Sequence, residues 1–286
     1  MRHEKRSGFT LIELLVVIAV IALLMAVILP ALGRAKIYAQ RIICSNNIRQ
    51  QCLGIILYSN ANDTLVPTSD AGGWYWDVSF WSTNEMSQHA GFDDNKTFFC
   101  PANKIKKYDD GRFWQYSLYD DGPKYPNPVP LVDETTLTVN PRSEFRVLPY
   151  VYNFDKYGSD GISYYSTIST AGFPKTLVDG RPMDKYVIRK LSNVQAAGSK
   201  IMVMDVMISN GNNWNFFQIS AGGIDDLSDG NLWDNSNHAS RQSLGTPPNT
   251  GQKPEGSNIG FADGSVSWRR FEDMQHRLTY GQWFWW

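Results

Sequence analysis

From Leu11 to Leu29, nineteen consecutive positions are apolar or alanine with one exception, Glu13. A helix of that length spans roughly 30 Å, the thickness of a bilayer's hydrocarbon core, so the chain opens with a segment able to cross a membrane. Arg2, Lys5 and Arg6 precede it. A secretory signal peptide and a plain membrane anchor both begin this way. The run is longer than an ordinary signal core, however, and no small-x-small cleavage site with a polar start follows it; Pro30-Ala31-Leu32 leads into further helix. Orientation is not set by charge, because Arg34, Lys36 and Arg41 match the basic residues on the other side. An ionised carboxylate in hydrocarbon costs roughly 2.5–3.5 kcal/mol on insertion scales, and no basic residue lies within the run to pair with it. A cut just before Phe9 would supply a new α-amino group, from this molecule or from a neighbour alongside. Glu13 would then be a docking group.

Past Pro30 the pattern stays helical, with Ala35, Tyr38, Ile42, Ser45, Ile48, Cys52 and Ile55 at three- and four-residue steps. Lys36, Gln40, Asn47 and Gln51 occupy the opposite side, which predicts an amphipathic half lying against a folded body through the first set. Pro30 is expected to kink or loosen the helix, since it removes one intrahelical bond and crowds the preceding turn. Asn, Asp and Pro67 in "YSNANDTLVP" stop it. The organisation that follows is a leader over 1–8, a long helix over 9–62 with its membrane part at 11–29, and a head over 63–286.

The head reads as a β structure. Short aromatic and β-branched runs, "WYWDVSFW", "FRVLPYVYNF", "KYVIRKL", "KIMVMDVMI" and "NIGFADGSVSW", alternate with Gly, Pro, Asn and Asp clusters. Together with the helix they predict an α+β fold in which an antiparallel sheet packs on the helix. "DDGPKYPNPVP" and "RQSLGTPPNTGQKPEG" read as surface loops. In the last run, Ala262-Asp263-Gly264 forms the turn of a hairpin between Ile259 and Phe261 on one strand and Val266 and Trp268 on the other. The terminal "GQWFWW" either folds back on the sheet, the commoner outcome, or exposes an apolar patch suited to a partner or glycan. A net charge of −1 and the lack of a basic stretch in the body give no footing for a phosphate backbone, so no nucleic-acid partner is expected.

Cys44, Cys52 and Cys100 are too few and too scattered for a zinc site, and His3, His89, His238 and His276 share no ligand spacing with them. Eight residues along one helix separate Cys44 from Cys52 by about 12 Å, beyond the reach of a disulfide. Any bridge must use Cys100. A Cys44–Cys100 bridge is favoured; three buried thiols acting as small apolar groups is the alternative.

The leader ending in Gly8, then Phe9, Thr10, Leu11, Ile12 and Glu13, an unbroken apolar helix, and Pro30 near its end resemble the type IV pilin-like superfamily, which includes the pseudopilins of type II secretion. The resemblance implies cleavage between Gly8 and Phe9 by a membrane prepilin peptidase and methylation of the new Phe9 amine. It also implies that Glu13 pairs with the terminal amine of an adjacent subunit during assembly by inner-membrane machinery. "CSNNIRQQCLGIILYSNANDTLVP", "FFCPAN" and the terminal Phe261-Ala262-Asp263-Gly264 further resemble the prepilin-type processing-associated group, whose pattern places a His and an Asn ahead of that tetrad. Here those are His238 and Asn258, with the segment from Ala239 to Ser257 separating His238 from the hairpin more widely than is usual.

Among the acidic pairs, "DDLSDGNLWDNS" comes nearest to a calcium loop, with Asp225 and Asp229 as weak candidates. Leu227 takes a ligand place and Ser236 stands where a bidentate Glu is wanted. No nucleophile elbow or phosphate-cradling glycine loop is present, so neither an enzyme nor a cofactor is expected. The reading is a structural subunit held in the inner membrane by one pass, its head in the periplasm or outside the cell. A membrane-anchored protein that binds a glycan or other surface ligand is the alternative.

Overall fold

A computed structural model describes residues 11–67, 77–92, 95–103, 114, 116–117, 144–153, 188–209, 236–238, 254–280 and 282–286. It divides into two compact units, Met1–Gln40 and Arg41–Trp286. Helix α1, Leu11–Ala61, contributes to both and runs through Pro30 as continuous helix. In the first unit its large apolar side chains, from Leu11 to Leu32, are exposed, and the helix is long and apolar enough to cross a membrane.

In the second unit α1 becomes a core element. Cys44, Ile48, Cys52, Ile55 and Tyr58 are buried at helical spacing. Ile48, Cys52 and Ile55 lie on the face the sequence assigned to the body, but two other assignments differ. Ile42 is 61% exposed, whereas Gln51, assigned to the polar side, is fully buried and Asn47 half-buried. Both amides face residues 95–100 and bond its carbonyls. Gln51 Nε2 donates to Thr97 O at 2.6 Å and Asn47 Nδ2 to Phe99 O at 2.9 Å. Tyr152 OH donates to Gln51 Oε1 at 2.5 Å. The bonds offset the cost of burying an amide, which hydrophobic periodicity cannot foresee.

The head contains antiparallel sheets, as its strand-rich pattern implied, but three of them among the described residues rather than one. The first orders β1 (Asp77–Val78), β3 (Glu144–Val147) and β2 (Tyr116–Ser117) as β1-β3-β2. The second, β4-β5-β7-β8, joins β4 (Tyr150–Tyr152), β5 (Ile201–Asp205), β7 (Gly256–Phe261) and β8 (Val266–Arg270). The third, β6-β10-β9, joins β6 (Ile208–Ser209), β9 (His276–Tyr280) and β10 (Gln282–Trp285). Leu148-Pro149 and Val206-Met207 interrupt what read as single apolar runs, so one run supplies a strand to each of two sheets.

"WYWDVSFW" is another departure from the expected strand. Among its described residues, Asp77–Val78 is strand, and helix α2, Phe80–Ala90, begins after the cap Ser79. Ser79 caps it by accepting the Ser82 N–H, and Gly91 ends it at φ 70°. α2 packs tightly on α1 at Gly54, where a Cβ would collide with the Met86 carbonyl.

β7 lies between neighbours and is buried along its whole length, with α1 over one face. A Cβ on Gly260 would lie 2.6 Å from both Cys52 Sγ and Ile48 Cγ2, so helix and strand approach as closely as they do because Gly260 has none. The β7–β8 hairpin closes through Asp263 and Gly264. Gly264 takes φ 82°, Gly264 N–H bonds Phe261 O, and Asp263 Oδ1 accepts from Ser265 N–H at 2.9 Å and Ser265 Oγ at 2.6 Å. Those two bonds lower the Asp263 pKa below the ordinary 3.8. The chain's end is folded in: Phe284 and Trp285 are buried, and Trp285 Nε1 donates to Ser209 Oγ at 3.0 Å.

Candidate functional site

Two sets of residues carry chemistry. The first is the N-terminal run. Glu13 lies in the first turn of α1, exposed, among Leu and Ile side chains that are exposed too. A carboxylate suits that end of a helix, where unpaired N–H groups give a partial positive charge. Gly8 and Phe9 lie outside the described residues, as do Asp225 and Asp229. Ser236, the last position of the candidate calcium loop, is fully buried and committed elsewhere. Its hydroxyl donates to Ile208 O at 2.6 Å and accepts Ile208 N–H at 2.8 Å.

The second set is a polar cluster in the core of the head. Cys44 on α1 and Cys100, just past the 3-10 turn Asn95–Phe98, form a disulfide with Cα atoms 5.1 Å apart. Cys100 Sγ lies 3.7 Å from His238 Nε2, which lies 3.1 Å from Asp205 Oδ2. All four residues are buried. Asp205, at the end of β5, anchors the group. Its Oδ2 accepts from Asn258 N–H at 2.8 Å and Asn258 Nδ2 at 3.0 Å, and its Oδ1 accepts from Asn237 Nδ2 at 2.7 Å. Asn237 Nδ2 also lies 2.7 Å from Pro149 O, and its Oδ1 accepts from Asn103 Nδ2 at 2.8 Å. Asn258 Nδ2 reaches the Arg41 carbonyl at 3.3 Å, so the network ties α1 to the sheet. A buried carboxylate is tolerable only with such a set of donors.

His238 is held in an uncommon backbone conformation, φ 51°, and its ring meets Trp268 edge-on at 5.1 Å between centroids. Arg41 stacks on the Trp268 ring, with its guanidinium carbon 3.7 Å from the centroid. His238 Nε2 is the ring nitrogen that faces Asp205. That same nitrogen faces Cys100. A proton relay needs the carboxylate on one ring nitrogen and the nucleophile on the other, so Asp205, His238 and Cys100 do not form a catalytic triad.

The terminal motif thus separates into two places. His238 and Asn258 meet in the core, 3.4 Å apart, whereas Asp263 and Gly264 make the hairpin turn that fixes the β7 register presenting Asn258 to Asp205. Asp205 was absent from the sequence reading. Its signal was a lone acid inside "KIMVMDVMI", where a buried charge demands partners.

Residues 4–29 match the family model described as the prokaryotic N-terminal methylation motif. The motif and the apolar helix fit a membrane-anchored, type IV pilin-like precursor, and a long N-terminal helix leading into antiparallel sheets is a pilin-like arrangement. No curated protein and no solved structure matches the chain.

Proposed function

We propose that this chain is a structural subunit of a type IV pilus or of a type II secretion pseudopilus. Residues 11–29 hold the precursor in the inner membrane by a single pass. A prepilin peptidase cuts between Gly8 and Phe9, and the Phe9 amine is methylated. The mature chain then joins other pilin-like subunits through its apolar helix, Glu13 pairing with a neighbour's terminal amine, and the head stands in the periplasm or outside the cell. The terminal residues are similar to those of the prepilin-type processing-associated group, and we infer that the chain is of that kind. The role consists of packing and docking and calls on no cofactor.

One observation carries this reading: the methylation motif at 4–29 places a carboxylate at the start of an exposed apolar helix that continues, unbroken, into the core of a head. Burying an ion in lipid is costly, and a neighbour's terminal amine set against Glu13, the fifth residue of the processed chain, offsets that cost on assembly. Glu13→Ala tests it in cells making prepilin peptidase and assembly machinery. Cleavage after Gly8, read by mass spectrometry of the N-terminus, should persist, while incorporation into sheared filaments should fall at least tenfold. Normal incorporation of the variant, or a wild-type chain left uncut, would overturn the proposal.

A further inference from the structure

The cluster around Cys100 is more polar than a disulfide needs. A disulfide is apolar and packs well among Ile and Phe, yet here His238 and Asp205 converge on its sulfurs from a strained turn and a strand end. One ligand atom from each of Cys44, Cys100, Asp205 and His238 lies within 4.8 Å of all the others. We propose that, when the disulfide is reduced, these four residues form a tetrahedral site for a zinc-class divalent cation, so that the head has a redox-gated metal site.

The distances suit it. Around Zn²⁺, bonds of about 2.0–2.1 Å to nitrogen and oxygen and about 2.3 Å to sulfur put neighbouring ligands about 3.3 Å apart for N···O and about 3.6 Å for S···N. The structure has 3.1 Å from His238 Nε2 to Asp205 Oδ2 and 3.7 Å from Cys100 Sγ to His238 Nε2. The two sulfurs must part, to about 3.8 Å, and Cα atoms 5.1 Å apart leave this to side-chain rotation, while the remaining ligand atoms already lie within 4.8 Å of one another. The outer shell is present as well: Asn258 and Asn237 orient the carboxylate from both of its oxygens. Two thiolates, one imidazole and one carboxylate form a set in which soft sulfur favours zinc over calcium or magnesium.

The chemistry balances. Loading the dithiol releases the two thiol protons, and His238 binds as the neutral imidazole through Nε2 with its proton on Nδ1. A small-molecule disulfide as oxidant accepts two electrons from the thiolates, becomes two thiols on taking up two protons, leaves the Cys44–Cys100 bond and expels Zn²⁺.

The test uses the full chain in detergent, reduced with a phosphine in the presence of Zn²⁺ and dialysed. We expect about one bound zinc per chain by elemental analysis, none in the disulfide form, and its release into a chromogenic indicator on adding oxidised glutathione. Co²⁺ in place of zinc should give thiolate charge-transfer and tetrahedral d–d bands. His238→Ala and Asp205→Asn should each weaken binding at least tenfold, while Cys52→Ala should leave it unchanged. A reduced wild-type chain that takes up no zinc, cobalt bands without thiolate character, zinc retained by the disulfide form, or folded His238 and Asp205 variants that bind as wild type would each overturn the proposal. Should those variants fail to fold, the wild-type cobalt spectrum decides it.

Discussion

Reducing the Cys44–Cys100 bond should destabilise the head by about 4 kcal/mol, chiefly by freeing the unfolded chain. The cysteines are 56 residues apart in sequence. The chain-entropy relation for a closed loop of that length gives about 14 cal/mol/K, or about 4 kcal/mol at 25 °C. Native contacts alongside the bond do not depend on it: Gln51 and Asn47 hold residues 96–99 against α1 through their own hydrogen bonds. The folded state should therefore survive reduction. The assay is denaturant unfolding of the full chain in detergent, with and without a phosphine reductant and with a chelator throughout to keep metal out. All ten tryptophans lie beyond residue 70, so their fluorescence reports the head alone. The midpoint should fall and the slope steepen, because an uncrosslinked unfolded chain exposes more surface. A loss below about 1 kcal/mol, or reduction that alters the near-UV spectrum before any denaturant is added, would refute the reasoning; the second result would mean that the bond maintains native packing.

Gly260→Ala should cost about 1–3 kcal/mol by overpacking, since its Cβ would meet Cys52 Sγ and Ile48 Cγ2 at 2.6 Å; adding Cys52→Ala should recover part of the loss in the same unfolding assay. Alkali should also unfold the head. Burial, with a smaller contribution from the Asp263 charge, pushes the Cys52 thiol from 9.0 up to about 12, and burial raises Tyr150 and Tyr152 well above 10. Folded pKa values above the unfolded ones mean full stability below about pH 9 and loss as pH climbs towards 12, at most about 1.4 kcal/mol per pH unit for each group. Cys52→Ala should flatten the measured curve by one group's share; an unchanged slope would exclude the thiol as a contributor.

What was legible in the sequence is what local chemistry dictates. The apolar run with its lone acid marked the N-terminal helix, and "FADG" marked a hairpin because Asp and Gly are the residues a turn of that shape takes. Helical spacing excluded Cys44–Cys52, and the bridge present joins Cys44 to Cys100. What escaped depended on long-range partners. Gln51 looked like a surface residue until residues 95–100 supplied carbonyls, 46 positions away in the case of Thr97. The polar core is assembled from α1, the turn at Cys100, the end of β5, the turn at His238 and β7, and no spacing rule connects these. The separation between His238 and the hairpin looked like a departure from pattern. In the fold β7 nonetheless brings Asn258 to 3.4 Å from His238.

The position of Cys44 has a mechanical consequence. It is the fourth residue of the head unit, counted from Arg41, so the disulfide sits where the helix enters the head. A pull on the N-terminal half would otherwise load Ile48, Gln51, Cys52 and Ile55 in shear and could draw the helix out of its seat turn by turn. With a covalent bond one turn inside the entrance, tension passes directly to Cys100 and on into the chain beyond it, bypassing the closed loop, and those contacts are shielded. Force-driven failure is set by the rate of unfolding along the loaded path. A subunit drawn through a membrane by its helix would thus keep its head attached under loads that would extract an unbridged one.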